Sequence, residues 1–289
     1  MKNLFLLFIT SFCFSQKGII LDSWTFESIP FSIIEYDNQT FYSDVNGIYI
    51  FNKNIKDTIK IVSANYEIKK ITVFDLIKTD TILLTPKSIV LDEIILVGKN
   101  QIKIESLKKA KKISSFPISP KNEIGLFIKP TNNDNNYIIK SLTFPINSSL
   151  YNKSNSELKN KIGVLRINIY KESTEINNII YTSKPINYNM NNKEELKIIL
   201  EDNIQLDNKG LYIGIELIGI QGDNNSIDEN SSTILRPVLT NENVNEFDIQ
   251  SYYRKINSMT NLNLNELIQK NTGENKNYNL SFGMTYIIN

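Results

Sequence analysis

Histidine is missing altogether, and a single cysteine, Cys13, is the entire thiol complement of 289 residues. Imidazole is the usual proton carrier near neutral pH and the commonest metal ligand. Without it, Ser-His-Asp and Cys-His catalysis fall away, together with most zinc and iron sites. An enzyme made from this chain would have to work with carboxylate, lysine, tyrosine or serine. An excess of one charge is lacking too: 32 Lys and Arg face 31 Asp and Glu, a net +1. No overall field draws the molecule onto nucleic acid or an anionic membrane. Beyond the first fifteen residues there is no apolar run long enough for a transmembrane helix. Hydrophobic residues at 41% and charged residues at 22% still match an ordinary globular protein with a real core.

Residues 1–15 read as a secretory signal. Lys2 gives a positive start, Leu4-Phe5-Leu6-Leu7-Phe8-Ile9 opens an apolar stretch that runs to Phe14, and Cys13 and Ser15 stand at −3 and −1 of a cleavage site before Gln16. A lipoprotein signal with Cys13 acylated competes with this reading, but Phe12 is bulky where such a signal wants a small residue. Cleavage after Ser15 leaves a chain without cysteine, and so without disulfides. Its richness in Asn, Ile and Lys then suggests a bacterial envelope, with the protein in the periplasm or associated with the outer membrane.

From Gly18 onward short β-branched runs alternate with turn signals about every 8–12 residues, the pattern of an all-β chain. The runs are 18–22, 30–36, 41–43, 48–51, 58–62, 68–73, 81–84 and 91–97, eight in all, and 17–98 reads as a β-sandwich of the seven-stranded kind, with about seven of them as its strands. Asp44-Val45-Asn46-Gly47 is a tight turn, because Asn-Gly readily takes positive φ. Residues 99–120 read as a linker in which 104–112 form a short basic helix, stopped by Ser114, Ser115, Pro117, Ser119 and Pro120. From 121 to 289 a second all-β region follows, with strands expected at 125–128, 137–144, 164–170, 195–200, 211–217 and 281–288 and a short helix at 261–270. Asn-, Asp- and Ser-rich loops separate them, and lengths and spacing suit a larger jelly-roll-like sandwich.

The first region resembles the carboxypeptidase-like regulatory domain, a transthyretin-like β-sandwich common in exported proteins of Bacteroidetes. The resemblance lies in Gly18-Ile19-Ile20-Leu21-Asp22, Ile29-Pro30-Phe31-Ser32-Ile33-Ile34, Thr40 through Asn46-Gly47-Ile48-Tyr49-Ile50, Ile59-Lys60-Ile61, Ala64-Asn65-Tyr66-Glu67, Leu83-Leu84-Thr85-Pro86 and Leu91-Asp92-Glu93-Ile94-Ile95-Leu96-Val97. One departure is Asn65, where the family carries Gly before the aromatic. Such modules accompany peptidases and transporters and cut nothing, so the resemblance implies a non-catalytic binding or structural role. The 91–98 stretch also looks like the segment before the plug of outer-membrane transporters, but the roughly 190 residues that follow are too few for their barrel.

Candidate chemistry is sparse. Asp44, Asn46 and Gly47 are spaced like the start of a calcium loop, yet Tyr49 and Phe51 occupy later ligand positions and no bidentate Glu follows. Asp223, Asn224, Asn225, Asp228 and Glu229 form an acidic, amide-rich loop that suits calcium or a glycan, or simply water. Asp92-Glu93 and Glu194-Glu195 are adjacent carboxylates which, on strands, point to opposite faces and make no acid-base pair. Ser106, Ser114 and Ser115 stand at no recognised Ser-Lys spacing. Trp24, Tyr36, Tyr42, Tyr49 and Tyr66 read as core and edge aromatics. Lys108, Lys109, Lys111 and Lys112 form a basic face that is either solvated or in contact with anionic lipid or glycan. No residue is assigned a catalytic, cofactor-binding or metal-binding role. The expectation is an exported envelope protein acting as a structural or protein-interaction module, with glycan binding by the second region as the alternative.

Overall fold

A computed structural model describes residues 15–36, 39–52, 58–63, 65–87, 101–132, 136–147, 161–175, 178–190, 195–222, 227–256 and 261–288. Within them the chain is all-β, with several sheets, no closed barrel and two short helices, consistent with β-sandwich packing. Cys13 and residues 91–97 lie outside the described residues. No helix among the described residues is long and apolar enough to cross a membrane.

The N-terminal strands are β1 (Ser15–Asp22), β2 (Ile33–Tyr36), β3 (Gln39–Tyr42), β4 (Ile48–Asn52), β5 (Thr58–Val62), β6 (Lys69–Thr72) and, after helix α1 (Val73–Lys78), β7 (Thr81–Leu84). They form one sheet in the order β4-β1-β7 and another in the order β3-β2-β5-β6. Side chains alternate across each strand, so Ile20, Tyr49 and Ile82 of the first sheet meet Ile34, Ile59 and Ile61 of the second in one buried cluster. Val73 and Leu76 of α1 join it. That helix replaces the end of the strand expected over 68–73. The Thr72 hydroxyl accepts the N–H of Asp75 and caps it, the preferred chemistry at a helix start. Asp44-Val45-Asn46-Gly47 is a tight turn. The Asp44 carboxylate accepts the N–H groups of Asn46 and Ile48, and Gly47 sits at φ 73°, where a Cβ would come 2.8 Å from the Ile20 carbonyl.

The remaining strands are β8 (Gln101–Ile104), β9 (Asn122–Pro130), β10 (Tyr137–Phe144), β11 (Ile162–Lys171), β12 (Ile179–Thr182), β13 (Ile186–Asn189), β14 (Leu196–Leu206), β15 (Leu211–Gln221), β16 (Ile227–Asp228), β17 (Leu239–Thr240), β18 (Phe247–Lys255), β19 (Leu262–Asn263), β20 (Asn279–Leu280) and β21 (Gly283–Ile288). Helix α2 (Leu264–Thr272) lies close to where 261–270 predicted it, capped by Asn263 and ended by Gly273 at φ 72°. An eight-stranded sheet runs β12-β11-β15-β9-β18-β19, with β13 added to β11 and β16 to β15. A four-stranded sheet runs β14-β10-β21-β8, and β17 pairs β20. Ile124, Leu126, Leu165, Ile167, Ile213 and Ile215 of the large sheet share a buried cluster with Ile139, Leu142, Phe144, Ile198, Met284 and Tyr286 of the smaller one. Burying each such aliphatic side chain stabilises the fold by about 1.5–3 kcal/mol.

The basic helix expected over 104–112 is not there. Residues 101–104 are strand β8 on the edge of the four-stranded sheet, and 105–112 run on without helix. Leu107 N–H donates to the Phe282 carbonyl and Ala110 N–H to Leu239. Ser115 and Ile118 bridge to Val238 and Leu235. Lysine-rich sequence favours a helix only weakly; here the backbone donors bond to neighbouring chain instead. The described part of the expected 99–120 linker is thereby tied to the C-terminal sheets.

Candidate functional site

Three places concentrate chemistry: a buried ionic row on the large sheet, an exposed aromatic turn and a lysine-lined groove. Strand register builds the row. Arg254 of β18 lies opposite Glu123 of β9, Glu123 opposite Glu216 of β15, and Glu216 opposite Arg166 of β11. Two glutamates thus stand side by side, each flanked by an arginine. Arg166 gives Nε to Glu216 Oε2 at 3.0 Å and Nη2 to Oε1 at 2.9 Å, a bidentate fork. Arg254 Nε donates to Glu123 Oε1 at 3.0 Å, and its guanidinium lies over the Tyr170 ring. Asn168 Nδ2 donates to Glu216 Oε2 at 2.7 Å and Glu123 Oε2 at 3.0 Å, separating two like charges with one shared donor. Tyr170 and Tyr252 hydroxyls complete Glu123, and Thr182 donates to Asn168 Oδ1.

The row above it makes room. Tyr252, Gly125, Gly214 and Asn168 face one another across the same four strands. A Cβ on Gly214 would meet Glu123 Cδ at 2.3 Å, and one on Gly125 would meet the Tyr252 ring at 2.6 Å. The two glycines are therefore the floor on which the Glu123 and Tyr252 side chains lie.

N-terminal residues form the roof. Tyr42 of β3 donates its hydroxyl to Glu216 Oε1 at 2.5 Å, and the Phe31 carbonyl accepts Arg166 Nη1 at 3.0 Å. Phe31, Ile33, Tyr42 and Val62 cluster with Val164, Ile218 and Ile256. At the rim Lys121 bridges Glu229 at 2.7 Å and the Thr40 carbonyl at 3.2 Å, while the other Glu229 oxygen accepts Tyr42 N–H. A cavity of about 10 Å³, lined among others by Ser63, Asn168 and Thr182, leaves room for about one water.

Burial and charge act against each other here. Burial disfavours a charged Glu216, but the Arg166 guanidinium and the donors around it outweigh this and hold the carboxyl below its usual range. Burial, reinforced by Glu216, pushes the Tyr42 phenol well up; burial and Glu123 do the same to Tyr170 and Tyr252. Both carboxylates and Arg254 are at most 1% exposed. The charged groups of this network are thus bonded to one another and shielded from solvent.

The second place is the turn after β1. Asp22 Oδ1 accepts the N–H groups of Trp24 at 2.7 Å and Thr25 at 3.0 Å, its Oδ2 accepts the Tyr66 hydroxyl at 2.8 Å, and its carbonyl accepts Phe26 N–H. The N–H groups of Thr25 and Trp24 hold the Asp22 carboxyl below the ordinary range. The turn presents Trp24 at 67% exposure and Phe26 at 64%, the latter with a left-handed φ of 59°. Tyr42 and Tyr49 are buried and Tyr36 and Tyr66 half-buried, so of the five aromatics read as core or edge Trp24 alone stands out in solvent.

The third is an open groove of about 530 Å³ lined by Lys108, Lys109, Lys111, Lys112 and Lys276, with Asn241, Glu242, Asn277 and Tyr278 among its other walls. It gathers the four lysines singled out in the sequence and adds a fifth. Of the acidic loop, residues 223–226 lie outside the described residues; Asp228 is in β16, and Glu229 serves the rim described above. Asp92, Glu93 and Glu194 are likewise outside them. Among the described residues no group of three or more acidic side chains is disposed to hold a metal ion. Arg166 and Glu216 fall within the strands expected at 164–170 and 211–217. Glu123 precedes the one expected at 125–128, and Arg254 lies in β18, where no strand is expected from the sequence. The Phe247, Ile249, Ser251, Tyr253 alternation of β18 was the available signal.

Comparison with protein-family models, with curated proteins and with solved structures returned no match.

Proposed function

We propose that this chain is a non-catalytic exported protein of the cell envelope that acts as a structural or protein-interaction module. In this reading β1–β7 form a transthyretin-like sandwich of the carboxypeptidase-like regulatory kind, and the C-terminal sheets a jelly-roll-like sandwich. Two N-terminal sheets around one core support the first assignment. So does Asn65, whose φ of 64° is the left-handed conformation that the family's glycine would take and asparagine tolerates.

The observation that carries the functional reading is the Trp24–Phe26 turn. Two large aromatics stand in solvent on a backbone fixed by Asp22 and Tyr66, and Phe26 keeps a left-handed φ that costs a non-glycine residue about 1–2 kcal/mol. Exposed aromatics on a preorganised turn are what interface hot spots are made of, since little entropy is lost when they are covered. The buried ionic row argues against catalysis, because the strongly perturbed groups are saturated by one another and shielded from solvent.

A photo-crosslinking amino acid at position 24, in the full chain in its native envelope, tests this. One reproducible adduct with an identified envelope protein is expected, lost in Phe26→Ser. The same adducts from a probe at exposed Lys255 would overturn the reading. Mass spectrometry of the mature N-terminus tests export: Gln16 in an envelope fraction is expected, and an intact Met1 in the cytoplasm would refute it.

A further inference from the structure

We infer that the lysine groove is a binding site for an acidic oligosaccharide, one whose negative charges are spread over successive sugar units. This stands independently of the aromatic turn, which belongs to the N-terminal sheets. Five lysines line the groove, while Glu242 and Glu274 are the nearby acids, a local excess of three positive charges on a chain whose total is +1. Lys112 is engaged with Glu274 at 2.8 Å, and Glu242 accepts the backbone N–H of Lys108. Lys109, Lys111 and Lys276 are exposed.

The walls are set before any ligand arrives. Leu107 and Ala110 are bonded to Phe282 and Leu239, Asn241 Nδ2 donates to the Asn277 carbonyl at 2.6 Å, and Tyr278 N–H is held by Asn265 at 2.6 Å. Tyr278 closes the inner wall of the groove, its side chain fully buried in the aliphatic core behind the lysines. Ligand class follows from three features. A volume of about 530 Å³ far exceeds a single phosphate and fits a few sugar rings. Lysine ammoniums are point charges without the arginine fork, suited to dispersed carboxylates or sulfates more than to one doubly gripped anion. None of the exposed large hydrophobic side chains of the described residues lines the groove, so a bilayer would find no apolar anchor beside the charge.

Calorimetry on the full chain at low salt, with tetragalacturonate as probe and neutral maltotetraose as control, tests the inference. Tetragalacturonate is expected to bind, weaken steeply as salt rises, and lose about tenfold or more in affinity in the double variant Lys109→Gln/Lys111→Gln, whose thermal midpoint should match the parent because both side chains are exposed. Equal binding of maltotetraose, full competition by inorganic phosphate, binding unaffected by the double variant, or no binding at all would each overturn it. So would preferential capture of the protein by phosphatidylglycerol vesicles with the same sensitivity to the two substitutions, which would make the groove a headgroup site.

Discussion

The two faces of the eight-stranded sheet are built from the same strands and buried to the same degree, yet by opposite chemistry. Along β9, Glu123 alternates with Ile124; along β11, Arg166 and Asn168 alternate with Leu165 and Ile167; along β15, Glu216 alternates with Ile215. The aliphatic face meets the four-stranded sheet through contacts that are non-directional and tolerate adjustment. The ionic face meets the N-terminal sheets through bonds of fixed length and angle, each of which leaves a buried charge exposed to low dielectric if it is lost. One face supplies bulk stability. The other fixes the register in which β3 and the Phe31 turn sit on the large sheet.

The largest effect should come from breaking the ionic face on one side. Glu216→Ala leaves Arg166 buried without its partner and should cost about 3–5 kcal/mol in urea unfolding, while Arg166→Met/Glu216→Leu recovers much of that loss. A double variant as damaged as the single one would mean that the pair is a net source of stability. Acid should act on the same face. The folded pKa of Glu216 is depressed, so its contribution is complete above the unfolded value near 4.3 and is lost as pH falls through the lower, folded one. The raised phenols of Tyr42, Tyr170 and Tyr252 act in the opposite sense, contributing below about pH 10 and losing that contribution as pH climbs through their folded values. Chemical denaturation across pH should show both edges, and Glu216→Gln should flatten the acid one.

Tyr42→Phe removes one hydroxyl donor from a charged acceptor across the junction of the two sets of sheets. A loss of about 1.5–3 kcal/mol is expected, with hydrogen exchange speeding first in β3. Gly214→Ala should cost about 1–3 kcal/mol, because the new methyl displaces the Glu123 carboxylate. Ile215→Val, one residue on and on the opposite face, should cost only about 0.5–1.5 kcal/mol. If it proved as harmful as Glu216→Ala, the contrast between a tolerant and an exacting face would fail.

Most strands were legible because alternation and turn chemistry are local. Val164-Leu165-Arg166-Ile167-Asn168-Ile169-Tyr170 announces a strand with two unlike faces, and Asn46-Gly47 announces its turn. Strand β18 is harder to read from sequence because Tyr252-Tyr253-Arg254 puts large side chains on both faces in succession, although its period of two is intact. The lysine segment departs from its expected helix because helix propensity, which its four lysines carry, is a weak local preference that backbone bonds to Phe282 and Leu239 override.

By itself the sequence determined that this is an all-β chain without imidazole, with lysines bunched between 108 and 112 and aromatics spread through its first strands. Only tertiary structure decided that the polar face of the large sheet would be covered and not wetted. It also brought Glu123 to Arg254, 131 residues along the chain, and Tyr42 to Glu216, 174 residues along. Alternation says that a strand has two faces. What each face meets depends on pairings between distant strands, and those are settled only when burying a charge is compensated by a partner that the sequence places far away.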